Sequence, residues 1–190
     1  MSYADIFQPA KTLPAWAYNV GLVFTASLLI ALSAQVSLIL PFSPVPVTLQ
    51  TLAVLLSAAL LGKHRGLAAV SLYLFQGAAG LPVFAGGKAG LAVLLGPTGG
   101  YLLGFAAAAF TVGYLIDYGW DQSFLKAVLA LLIGSAVIYL SGLAWLTEFV
   151  GIERILPLGL YPFLIGDLLK LTAAAVFLSG SGKFKPRSIP

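Results

Sequence analysis

The sequence predicts an all-α integral membrane protein of six transmembrane helices, and three observations predict it. Only 8% of the 190 residues are charged while 60% are hydrophobic; a soluble domain carries about 25% charged residues and needs them to cover its surface. The apolar residues also come in long unbroken runs. Residues 16–40 and 66–87 hold no formal charge, and about 18 or more such residues read as a bilayer-crossing helix, in which every backbone polar group is bonded within the segment. Finally, the cations are sorted. With six spans, Lys11, Lys63, Arg65, Lys126, Lys183, Lys185 and Arg187 share one side, against Lys88 and Arg154 on the other. By the positive-inside rule this seven-to-two bias places both termini in the cytoplasm.

The elements follow in order within one domain, 1–190. The first span, 16–40, is too long for the apolar core of a signal peptide, and no cleavage site leading into a hydrophilic domain follows it. It carries small residues four apart: Ala17, Gly21 and Thr25, then Ser27 and Ala31, then Ser33 and Ser37. The second, 47–61, is short and follows the proline-rich "LPFSPVPV", so tilting or a break is expected there. The basic turn "GKHRG" leads into the third, 66–83. The fourth, fifth and sixth cover 99–118, 124–146 and 158–180. No internal repeat is visible, so the inverted-repeat architecture of many secondary transporters finds no support.

The chemical inventory excludes several function classes. His64 is the only histidine and sits in the basic turn, and there is no cysteine, so serine–histidine catalysis and thiolate metal sites have no residues to use. Intramembrane aspartyl chemistry needs two carboxylates sharing a site, and Asp167 alone lies well inside a span. The glycine runs match neither phosphate-cradling pattern. The pI near 9.4 follows from the sided cations, and no basic stripe with interleaved aromatics suggests a nucleic-acid partner. No metal, cofactor or catalytic residue is expected.

Two features remain. "IGDLLKL" places Asp167 and Lys170 three apart in the sixth span, hence on one helix face. Ionisable groups in a membrane cost about 2.5–3.5 kcal/mol each and face the bundle interior, where they mark a site or brace the helices. The second feature is "FAGGKAGLAVLLGPTGGY", residues 84–101, in which seven of 18 residues are glycine or proline. Such a segment cannot run as a helix through lipid, and at membrane depth it must be buried in protein or line a cavity. Glycine lets backbone approach a ligand closely, and "LAVLL" is apolar enough to dip into the bundle. The expectation is a Gly-rich outward loop folded over a ligand cavity.

"PVPVTLQTLAVLLSAALLG" (44–62), "GLPVFAGGKAGLAVLLGPTGGYLLGF" (80–105) and "GDLLK" (166–170) closely resemble the BioY family. These are biotin-specific substrate-binding subunits, or S components, of energy-coupling-factor (ECF) transporters. The resemblance runs from the first span to the sixth. It implies a six-helix fold with a biotin pocket near the outer face, in a prokaryotic cell membrane. It also implies partners, namely a transmembrane coupling subunit and two ATP-binding-cassette ATPases, although some members are thought to work without them.

Biotin sets clear chemical demands. Its bicyclic ring needs an apolar, aromatic wall. Its ureido group offers two N–H donors and one carbonyl, and its valerate tail ends in a carboxylate. Phe84 and Tyr101 can supply the wall, Asp167 the acceptor for ureido N–H, and Gln50 or Thr98 a donor. Gly86 and Gly87 allow close backbone approach, and Lys170 and Lys88 are the candidate cations for the tail. The family's first helix is thought to dock on the coupling subunit through small residues; of the three stripes, Ser27 and Ala31, near mid-membrane, are chosen for that contact, the alternative being packing against this protein's own helices. The competing readings are an S component or transporter for another vitamin-like ligand, and a membrane enzyme or channel.

Overall fold

The computed structural model describes Tyr3 and residues 14–182. Lys11, Lys183, Lys185 and Arg187, four of the cations used for orientation, lie outside the described residues. The long elements are helices: α1 Ala15–Gln35, α2 Gln50–Ala78, α4 Gly99–Asp117, α5 Phe124–Val150 and α7 Tyr161–Gly182. The short helices α3 Leu91–Leu95 and α6 Ile155–Gly159 lie in connections. A two-residue antiparallel ribbon pairs β1 Ser37–Leu38 with β2 Val47–Thr48, in the register Ser37↔Thr48 and Leu38↔Val47. Single 3₁₀ turns stand at Ala85–Gly87 and Trp120–Gln122.

Five helices among the described residues are long and apolar enough to cross a membrane, where the sequence predicts six spans. The difference lies at Gly62. The predicted second and third spans join into α2, but Gly62 has φ 80° and ψ 175°, backbone that only glycine adopts readily. The chain doubles back there. Gln50 at the start of α2 is hydrogen-bonded to Tyr73, and a Cβ on Gly66 would come within 2.8 Å of Ala58 Cα. Residues 50–61 and 63–78 are thus two antiparallel helices. Asp117 Oδ2 accepts from Lys63 N–H at 3.2 Å, satisfying one of the donors that a new helix start leaves open.

Other boundaries shift for local reasons. The first span stops at Gln35, not residue 40, because the chain turns into the ribbon. The third stops at Ala78, and Gly80 then takes φ 99°. The fifth extends to Val150. The sixth starts at Tyr161, since Leu160 leaves helical geometry (φ −128°, ψ −58°) and a separate turn of helix, α6, precedes it.

α4 is the most enclosed membrane-length helix, 61% buried, and α1 the least, 28%. α4 packs on α2 and α5, α1 covers α2, and α7 lies on α5. The hairpin connections bring the starts of α2, α4 and α7 and the last third of α5 to one end of the bundle. The Gly62 turn and the α4–α5 turn lie at the other.

Candidate ligand-binding site

That first end encloses a cavity of about 710 Å³ including its open mouth. Seven residues expected from sequence line it: Gln50, Phe84, Lys88, Thr98, Tyr101, Asp167 and Lys170. Gly86 and Gly87 do not. They take positive φ, 69° and 71°, and stand exposed on the loop instead of along the cavity wall.

The charged pair forms one connected network. Lys170 Nζ donates to Asp167 Oδ1 at 2.9 Å and to the Thr48 carbonyl at 2.7 Å. Thr51 Oγ1 donates to Asp167 Oδ1 at 3.4 Å, and the Tyr139 hydroxyl donates to Asp167 Oδ2. The two side chains are only 14% and 8% exposed, so desolvation makes these bonds obligatory. A carboxylate has about four lone-pair positions and an ammonium three donors. Asp167 therefore retains one acceptor position and Lys170 one donor.

Aromatic rings build the wall. Tyr101 meets Tyr139 edge-to-face at 6.4 Å, and Tyr139 meets Phe163 at 6.5 Å. The Tyr101 hydroxyl donates to Gly159 O at 2.9 Å, and its ring lies where a side chain on Gly142 would be. Phe84 packs edge-to-face on Tyr73 and occupies the space a Cβ on Gly77 would need. Gln50 is held by Tyr73, with Nε2 donating to the hydroxyl at 2.6 Å.

The segment from Phe84 to Thr98 covers the cavity, with Phe84, Ala85, Lys88, Val93 and Thr98 in its lining. Its "LAVLL" run is α3, which turns Val93 inward and leaves Leu91 and Leu95 exposed. Side chains from other helices pin both ends. Gln35 Nε2 donates to the carbonyls of Phe84 (3.3 Å) and Val83 (3.4 Å), while its Oε1 accepts from Gly87 N–H at 3.1 Å. Trp145 Nε1 donates to Gly96 O at 3.0 Å. Among the described residues, the Lys88 ammonium has no hydrogen bond or ion pair, although it lines the cavity.

The assignment of Ser27 and Ala31 to an external contact needs correction. Ser27 is fully buried and donates to Gln76 Oε1 at 2.8 Å, and Ala31 belongs to the central core. This stripe packs α1 onto α2. A buried hydroxyl needs an internal partner, and Gln76 provides it. Gly21 and Thr25, on the other face of α1, are exposed, and nothing lies within 4 Å of where a Gly21 Cβ would be.

Sequence reasoning missed Tyr139, Thr51 and Phe163. The signal for Tyr139 was present: a phenol inside an apolar span needs a partner for its hydroxyl. Nothing local, however, says that the partner is Asp167, 28 residues away.

Known proteins resemble this chain throughout. The model of the BioY family matches residues 8–187. A protein of Thermotoga maritima named biotin transporter BioY is 44% identical over 155 residues, covering 81% of this chain and 88% of its own. A Pyrococcus horikoshii protein named probable biotin transporter BioY is 39% identical over 160 residues, covering 84% and 93%. A crystal structure described as the S-component for biotin from an ECF-type ABC transporter superposes with TM-score 0.78. It covers 93% of this chain and 96% of its own, at 24% identity, and so shares the fold.

Proposed function

Because the chain belongs to the BioY family, we propose that it is the biotin-capturing membrane subunit of a vitamin-uptake system in a prokaryotic cell membrane. The observation that carries this reading is the paired vacancy at Asp167 and Lys170: one acceptor and one donor, side by side, in an aromatic cavity. A cyclic urea presents N–H and C=O on adjacent atoms and fits that pair. Asp167 takes a ureido N–H and Lys170 gives to the carbonyl. Tyr101, Tyr139, Phe163 and Phe84 enclose the bicyclic ring. Gln50 and Thr98 supply further polar contact, Gly86 and Gly87 shape the loop, and Lys88 takes the valerate carboxylate. Charge-assisted bonds contribute about 1.5–3 kcal/mol each. Three of them with ring burial account for binding near −12 kcal/mol, the nanomolar range.

Both halves of α2 cross the bilayer in this reading, making six crossings with both termini inside. The Gly62 turn, with Lys63 and Arg65, faces the cytoplasm together with Lys126, and the cavity opens outward. The resemblance adds the energising partners, a transmembrane coupling subunit and two ATP-binding-cassette ATPases. Capture and energising are then separate tasks, and this chain performs the first.

Equilibrium binding of radiolabelled biotin to the purified full chain tests the proposal. Saturable nanomolar binding, competed by unlabelled biotin and not by thiamine, supports it. Absence of saturable binding at micromolar biotin overturns it, and competition by another vitamin reassigns the ligand.

A further inference from the structure

We infer that Tyr139 determines ligand specificity at Asp167, by occupying Oδ2 so that the carboxylate offers a ligand one acceptor position instead of two. The inference rests on the biotin reading and adds a residue to it. Tyr139 reaches the site from α5 and lines the cavity, while Asp167 and Lys170 stand on α7. The donors divide between the two oxygens. Oδ1 takes Lys170 and Thr51, and Oδ2 takes Tyr139. Only Oδ2 has room for one more N–H.

The ring is held independently of the hydroxyl. It lies between Tyr101 and Phe163, with centroids 6.4 and 6.5 Å away. Phenylalanine at this position keeps those contacts and removes only the donor. The carboxylate oxygen then presents two vacant positions beside each other. A urea edge, with one N–H per carbonyl, cannot use both. A guanidino edge can, because its two parallel N–H groups converge on a single acceptor oxygen. With tyrosine the site favours a urea, and without the hydroxyl the preference moves toward a guanidinium.

The test compares biotin with 2-iminobiotin, whose ureido oxygen is replaced by an imino nitrogen, on the purified full chain at one fixed pH. Tyr139→Phe is expected to weaken biotin, because Asp167 loses the donor that fixes its carboxylate to receive a single ureido N–H, and to weaken 2-iminobiotin much less. The ratio of the two dissociation constants then moves at least about fivefold toward the guanidino ligand. Equal weakening of both ligands means that Tyr139 only braces the bundle, and overturns the inference. The parental chain separates this failure from that of the function: if it binds no biotin, the function itself falls. Should Tyr139→Phe not fold, 4-fluorophenylalanine at position 139, which fills the space of the hydroxyl without donating, takes its place: the same shift in the ratio sustains the inference, and equal weakening of both ligands overturns it.

Discussion

Lys170 and Asp167, one turn apart on α7, close an ion pair of 2.9 Å, and the Lys170 ammonium also ties α7 to the Thr48 carbonyl of the β-ribbon at 2.7 Å. A single side chain therefore links the charge of the cavity to the connection between α1 and α2. An ion pair serving only as a brace would need no cavity beside it, whereas both residues line one here.

Asp167→Asn preserves size and replaces an acceptor-only group by an amide. Biotin affinity should fall at least tenfold, about 1.4 kcal/mol. Equilibrium binding on variant protein with an unchanged thermal transition checks this. Parental affinity would remove Asp167 from the site.

Among the described residues Lys88 has no hydrogen bond or ion pair, and it is the candidate cation for the ligand's carboxylate. Lys88→Met should weaken biotin several-fold, with about 1 kcal/mol corresponding to fivefold. Biotin methyl ester, which lacks the charge, should bind both proteins alike. Equal losses for acid and ester would place the tail elsewhere.

The segment from Phe84 to Gly96 should tighten over bound ligand, with Gln35 as one of its two pins. A spin label on Ala89 is expected to lose mobility on adding biotin and to ignore thiamine. Gln35→Ala deletes the three bonds of 3.1–3.4 Å that reach Val83, Phe84 and Gly87 and should raise the biotin dissociation rate while leaving association nearly unchanged. A label that stays equally mobile at saturation excludes the segment as a lid.

The two faces of α1 predict opposite outcomes for the same substitution. Ala31→Trp inserts a large ring into the core, where overpacking costs about 1–3 kcal/mol or more, so biotin binding and stability should both suffer. Gly21→Trp lies on the exposed face of α1 beside Thr25. It should leave biotin binding intact and prevent co-purification with a coupling subunit. Normal assembly of Gly21→Trp would direct the search to another helix.

Much of the site was legible because its residue types are costly in lipid. A carboxylate and a lysine inside an apolar span, and a glycine-rich segment between spans, stand out in any reading. Seven of the expected residues do meet in one cavity. Ser27 and Ala31 were misread because four-residue spacing gives a shared face without saying what that face meets. The stripes of the first span share the same local pattern, and only the position of Gln76 on α2 marks that of Ser27 as inward.

The sequence by itself determined the solvent, the helical content and the identity of the costly residues, since each follows from composition and short-range periodicity. The basic run "GKHRG" also led to the expectation of a turn there. The tertiary structure alone decided that the chain reverses there within a continuous helical stretch, that Gln50 is held by Tyr73, and that Tyr139 occupies one oxygen of Asp167. Hydrogen bonds between helices join residues far apart in the chain. Their pairing depends on which faces the packed bundle turns toward one another, and helix periodicity carries no information about that.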